Sequence, residues 1–83
     1  MADVTYYGAD WCVDCRRSKA QMDSLGIKYE EKNVEQEAAY AVEAESISGR
    51  KNIPVIVFTD GEFLVEPSNA ALEEALAKRN LIG

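Results

Sequence analysis

Apolar positions along the chain switch between strand-like and helix-like spacing, and each switch marks an element. Val4-Thr5-Tyr6-Tyr7 has the β-branched and aromatic content of a strand, and Gly8-Ala9-Asp10 reads as a tight connection after it. From Arg16 to Leu25 the spacing becomes helical. Cys15, Ser18, Met22 and Leu25 fall on one narrow inner stripe, and Gly26 is placed to end the helix. Ile27 to Val34 reads as a second strand, parallel to the first if the helix is the crossover. Its Glu30, Glu31 and Lys32 suit an exposed edge. Glu37 to Ile47, rich in Ala and Glu, predicts a helix with a weak apolar face, and the run Ser48 to Asn52 breaks it. Val55-Ile56-Val57-Phe58 is the most apolar run and predicts a buried strand. Asp60-Gly61 signals a hairpin, with Phe63-Leu64-Val65 returning antiparallel. Pro67-Ser68 opens the last helix, with Ser68 as N-cap and Leu72, Ala75 and Leu76 on its buried face. The fold class is therefore α/β: a βαβ unit, a hairpin and a closing helix, making one small mixed sheet with helices packed on it.

Length changes the picture little. With 83 residues there is room for one domain, taken as 1–83, and one modest core. The 47% apolar and 29% charged composition is that of a soluble globular chain. No apolar run reaches membrane-span length, and Met1-Ala2-Asp3 lack the basic and apolar regions of a signal peptide, so the expected location is cytoplasmic. Charge excludes more. Fifteen acidic against nine basic residues give a net charge of -6, which argues against nucleic acid as a partner. The Glu-rich stretches around Glu30 and from Glu35 to Glu45 are read as solvated faces.

Candidate chemistry concentrates in Trp11-Cys12-Val13-Asp14-Cys15. Two thiols separated by two residues can close a small disulfide ring, and so hold two electrons in covalent form. Their placement at a strand-to-helix junction sharpens the signal. Unpaired backbone N–H groups and the positive end of the helix dipole favour an anion there, and a thiolate is such an anion. Cys12 is the expected nucleophile, and Cys15, one helical turn inward, the less exposed thiol. Both cysteines lie in one motif, so the disulfide is read as transient rather than as a staple. A zinc site within one chain is not expected, because there is no histidine and no third cysteine. Trp11 reads as a platform beside the disulfide, with an apolar cover for the helix start as the alternative. Tyr6, Tyr7, Val57 and Phe58 are assigned to core and strand surface.

These residues resemble the glutaredoxin branch of the thioredoxin-like fold over nearly the whole chain. The matching pieces are Tyr6-Tyr7 through Cys15, then Asn52-Ile53-Pro54-Val55, then Asp60-Gly61 through Glu66-Pro67-Ser68. Phe58-Thr59-Asp60-Gly61 followed by Pro67-Ser68 looks like the mycoredoxins, small glutaredoxin-like proteins that reduce mixed disulfides with mycothiol. The resemblance implies a three-layer fold with three helices and a four-stranded mixed sheet ordered two-one-three-four. It also implies an N-terminal nucleophilic cysteine at Cys12, a resolving thiol at Cys15 and a cis-proline at Pro54 facing them. A cis Ile53-Pro54 bond would let Ile53 offer its backbone to an extended thiol-bearing substrate. Substrate contacts are thus expected at Trp11, Val13, Asp14, Ile53, Pro54 and Ser68.

Departures from the family pattern bear on the partner. Val13-Asp14 stands where many glutaredoxins have Pro-Tyr or Gly-Tyr, and the Asp14 carboxylate opposes an anion at Cys12 unless Arg16 or Arg17 screens it. Ala9 takes a position where glutathione-using members often carry lysine, and the two-glycine turn before the last helix is absent. Mycothiol, with a sugar-like body, misses those cationic contacts less than glutathione does. Arg50, Lys51 and the last helix N-terminus remain as places for an anion. The expected cosubstrate is a low-molecular-weight thiol, mycothiol or glutathione, with no tightly bound cofactor and no metal. Expected partners are that thiol and disulfide-bearing proteins, with a flavoprotein disulfide reductase as another electron source, no membrane, and a monomeric chain. Two other readings stay open. One is a redoxin recharged by thioredoxin reductase that serves ribonucleotide reductase, suggested by Cys-Val-x-Cys but lacking that group's Trp-Ser-Gly-Phe-like segment. The other is a non-catalytic carrier bridging an iron–sulfur cluster between two copies.

Overall fold

The computed structural model describes residues 3–82. Met1, Ala2 and Gly83 lie outside the described residues, and with them both ends of the expected domain. The elements run β1 (Val4–Gly8), α1 (Val13–Ser24), β2 (Tyr29–Asn33), α2 (Ala38–Ser48), β3 (Val55–Phe58), β4 (Phe63–Val65) and α3 (Asn69–Lys78). They form one four-stranded mixed sheet in the order β2-β1-β3-β4, with β1 parallel to β2 and antiparallel to β3. Element order, strand order and the edge position of β2 agree with the reading of the chain.

Alternation along β1 sorts the two faces. Val4 and Tyr6 point into a core with Cys15 and Met22 of α1, Ile56 and Phe58 of β3, and Leu72 and Leu76 of α3. Tyr7 points the other way, to a smaller cluster with Ala44 of α2 and Val55. Three layers result, with α1 and α3 on one face and α2 on the other. The face under α2 holds only a few apolar side chains, and ionic contacts supplement it. Lys32 Nζ pairs with Glu43 at 3.0 Å and lies 5.5 Å and 5.4 Å from the ring centres of Tyr7 and Tyr40.

Three local expectations need correction. Helix α1 starts at Val13 rather than Arg16, because the Cys12 sulfur caps it. Leu25 is not on the inner stripe. It is the C-cap residue and 36% exposed, and Ile27 enters the core in its place. Gly26, with φ at 70°, makes that exchange sterically easy. Its N–H bonds to Asp23 O at 3.2 Å and the Ile27 N–H to Met22 O at 3.0 Å, the paired closure of a Schellman end. Ala75 is only half-buried, while Leu72 and Leu76 are fully buried as expected.

The candidate redox site

Strand β1 delivers the motif to the end of the sheet. Tyr6 packs in the core, Gly8 and Ala9 are buried, and Asp10 and Trp11 turn the chain outward. Cys12 is extended (φ -84°, ψ 118°) and its Sγ accepts a hydrogen bond from the Cys15 N–H at 3.3 Å. The sulfur therefore takes the place that a Ser or Asp oxygen usually takes at a helix start. Both cysteines are free thiols; Cys12 is partly exposed and Cys15 has no exposed surface.

A second segment faces the first sulfur. The Ile53–Pro54 peptide bond is cis, as the resemblance implied. The Cys12 thiol donates to Ile53 O at 3.8 Å, so the carbonyl expected to meet a substrate sits at the first sulfur. The neighbouring loop is tied to both segments. Glu66 N–H bonds to Pro54 O at 3.0 Å and Asn52 Nδ2 to Glu66 Oε1 at 2.9 Å. From α1, Arg17 Nη2 donates to Pro67 O at 3.1 Å and Gln21 Nε2 to Asn69 O at 2.8 Å.

Electrostatics divide the two thiols. Burial pushes the Cys15 thiol up to about 12, and its hydrogen bond with Cys12 works in the same direction. The Ala9 backbone and Tyr6 hydroxyl pull it partly back. Cys15 therefore stays protonated at neutral pH, while Cys12 has solvent access and the Cys15 N–H aimed at its sulfur. Asp14, expected to oppose an anion at Cys12, is instead engaged by Arg17, whose Nη1 lies 3.1 Å from Asp14 Oδ1.

Cys12, Cys15, Ile53 and Pro54 thus gather at one point. Trp11, 66% exposed, and Ile53 line a cleft of about 390 Å³, whose walls include Val34, Ala41 and Ala44 with Glu45, Arg50 and Lys51 among them. Val13 is 67% exposed on the first turn of α1. Ser68 is the α3 cap, as expected, with its Oγ accepting the Ala71 N–H at 3.1 Å. Reading the sequence missed Tyr6, Asn52 and Gln21 as supports of the site, and gave Arg17 a screening role beside Asp14 but not its bond to Pro67 O. Only a pairing of distant segments reveals them, and no local pattern carries that information.

A dithiol at a helix N-terminus, faced by a cis X-Pro bond on a β2-β1-β3-β4 sheet, defines a thioredoxin-like redox protein. Residues 4–64 match the glutaredoxin family profile, and the chain belongs to the glutaredoxin family. It is 30% identical to mycoredoxin 1 of Corynebacterium glutamicum over 79 residues, covering 94% of each chain. It is 34% identical to glutaredoxin 3 of Escherichia coli over 64 residues, covering 77% of this chain and 76% of that protein. Among solved structures, the glutaredoxin-like NrdH-redoxin of Escherichia coli superposes with a TM-score of 0.71 at 25% identity, over 86% of this chain and 91% of that one.

Proposed function

We propose that this protein is a mycoredoxin-type thiol–disulfide oxidoreductase that reduces mixed disulfides of a low-molecular-weight thiol. The observation that carries the reading is Cys12 Sγ, held as the α1 cap by the Cys15 N–H and placed against Ile53 O, with a second thiol behind it. Cys12 thiolate attacks a substrate disulfide, forms a mixed disulfide and releases one substrate thiolate. Cys15 then loses its proton and attacks Cys12 Sγ, which closes Cys12–Cys15 and expels the second thiolate. A small thiol attacking Cys12 directly is the other route out. The remaining site residues have supporting roles in this reading. Trp11, Val13 and Asp14 border the encounter surface, Ile53 and Pro54 present backbone to the substrate, and Ser68 fixes the α3 start beside it.

The choice of thiol rests on charge and wall chemistry. Ala9 is buried and brings no cation to the motif, and Asp10 adds negative charge on the exposed turn. Arg50 and Lys51 line the cleft, with Glu45 opposing their charge, and most of the wall is apolar, Trp11 included. A neutral sugar body fits that wall with less charge mismatch than a tripeptide carrying two carboxylates. The full-length similarity to a protein named mycoredoxin supports the same choice. A redoxin recharged by thioredoxin reductase is the second reading, favoured by the similarity to NrdH-redoxin.

One comparison tests all of this: the reduction rate of the oxidised protein with mycothiol, with glutathione, and with thioredoxin reductase and NADPH. Mycothiol is expected to be fastest, with its lead over glutathione narrowing as salt rises. Equal thiol rates at low salt refute the mycothiol assignment. A faster rate with the reductase moves the protein to the redoxin class.

A further inference from the structure

A tyrosine hydroxyl placed in a protein core needs partners, since an unpaired one is costly there. Tyr6 is 2% exposed and its hydroxyl lies in the interior, donating to Cys15 O at 3.2 Å. The hydroxyl is thus held at the same residue whose thiol it pulls partly down, against the larger upward push of burial. Its position is tightly held. A Cβ built on Gly8 would stand 2.3 Å from the hydroxyl oxygen and 2.4 Å from Cζ, so the glycine makes room for the phenol end. On the other side the Tyr29 ring meets Tyr6 edge-on, with centres 5.9 Å apart. A phenylalanine would fill the ring's share of this space, so the hydroxyl is the part that packing leaves unexplained.

We propose that Tyr6 is a positioning residue for the second half of the exchange. Its hydroxyl rests on the Cys15 carbonyl in the dithiol state and turns its proton toward Cys15 Sγ as that sulfur becomes the attacking thiolate. The role rests on the dithiol mechanism proposed above. It answers a difficulty in that mechanism, because the resolving sulfur is sealed from water and must still carry charge briefly. A fixed interior donor aimed at a developing anion stabilises it without the reorganisation that water would need. Burial, with Cys15 next, raises the Tyr6 phenol far above its usual range, so it keeps its proton and acts as donor only. The titratable groups facing the pair are Cys12 before α1, and Glu31 and Tyr29 of β2.

An aromatic disulfide such as dithiobis(nitrobenzoic acid) separates the two half-reactions without any physiological substrate. Cys12 thiolate attacks it and releases one coloured aromatic thiolate. Cys15, after giving its proton to solvent, attacks the Cys12 mixed disulfide and releases the other. Stopped-flow absorbance reads the two phases, and the first is the internal reference. Tyr6→Phe is expected to slow the second phase roughly tenfold at neutral pH and to displace its rate–pH curve upward by about one unit. Gly8→Ala, which pushes the same hydroxyl aside, is expected to give the same signature. An unchanged second phase overturns the role, and so does a slower one whose pH dependence has not moved. Release of a single aromatic thiolate by the wild-type protein overturns the dithiol mechanism itself, and the role of Tyr6 with it.

Discussion

Gly8→Ala tests how the core is built around the site. Gly8 is not among the glycines with positive φ, so backbone strain is no part of the argument. The added methyl would meet Tyr6 Oη at 2.3 Å, Cζ at 2.4 Å and Cε1 at 2.9 Å. Ordinary contact begins near about 3.5 Å, so the ring must retreat by more than about 1 Å. It has little room, because Tyr6 is packed against Tyr29 and the buried cluster of Val4, Met22 and Ile56. Overpacking of this kind costs about 1–3 kcal/mol. Breaking the Tyr6 bond to Cys15 O adds about 0.5–1.5 kcal/mol. The lower entropy of the unfolded alanine chain returns about 0.4–1 kcal/mol. A net loss of about 2 kcal/mol follows, which for a domain of this size lowers Tm by roughly 8–16 °C. Urea and thermal unfolding of wild type, Gly8→Ala, Tyr6→Ile and the double variant form the cycle. On the Tyr6→Ile background the glycine substitution is expected to cost less than about 0.5 kcal/mol. The same cost on both backgrounds would refute the steric reasoning.

Further outcomes follow from single groups. Ser18 is 1% exposed and its Oγ has no hydrogen-bond partner among the described residues, so Ser18→Ala is expected to raise stability by about 1 kcal/mol in urea unfolding; a loss would mean the hydroxyl is satisfied. The Cys15 thiol keeps its proton in the fold up to about 12, against 9.0 for a free thiol, so its contribution is complete below pH 9 and is lost as pH climbs through 12. Tyr6 and Tyr29, both raised chiefly by burial, act in the same sense at higher pH. Under reducing conditions the urea midpoint of Cys15→Ser is therefore expected to fall less steeply across that window than that of wild type. Asp14→Asn is expected to change the alkylation rate of Cys12 by less than about twofold, because Arg17 already holds the carboxylate at an exposed pair; a large acceleration would place the charge on the sulfur instead.

Much of the fold was legible because local signals and tertiary demands coincided. Asp60-Gly61 turned the chain where a hairpin was needed, with Gly61 at φ 88°. Ser68 capped α3, and the apolar run Val55 to Phe58 became a central strand with Val55 and Ile56 fully buried. The junction at Cys12 was read as the place where α1 should begin, but helical spacing was read only from Arg16, because capping rules look for oxygen and here the cap is sulfur. Leu25 misled because its spacing fits the helix stripe, whereas the left-handed Gly26 redirects the chain and buries Ile27 instead. The two cysteines and Pro54 could be read from motif and resemblance. The hydroxyl of Tyr6 could not, since a β-strand tyrosine reads as core whether or not its oxygen finds a partner. Arg17 likewise reads as a surface cation. Its pair with Asp14 is a local contact within α1, but its bond to Pro67 O exists only because α1 crosses the loop before α3.

The most direct test of the proposed chemistry is the intact mass of two single-cysteine variants after brief exposure to a small-molecule disulfide. Cys12 is partly exposed and capped by a backbone donor, whereas Cys15 is sealed in the core with its proton held tightly. Cys15→Ser is expected to gain the mass of one thiol adduct rapidly, mapped by peptide analysis to Cys12, while Cys12→Ser stays unmodified over the same interval. Rapid adduct formation on Cys15 in the Cys12→Ser variant, with Cys12 left inert in the other, would contradict the assignment of nucleophile and resolving thiol.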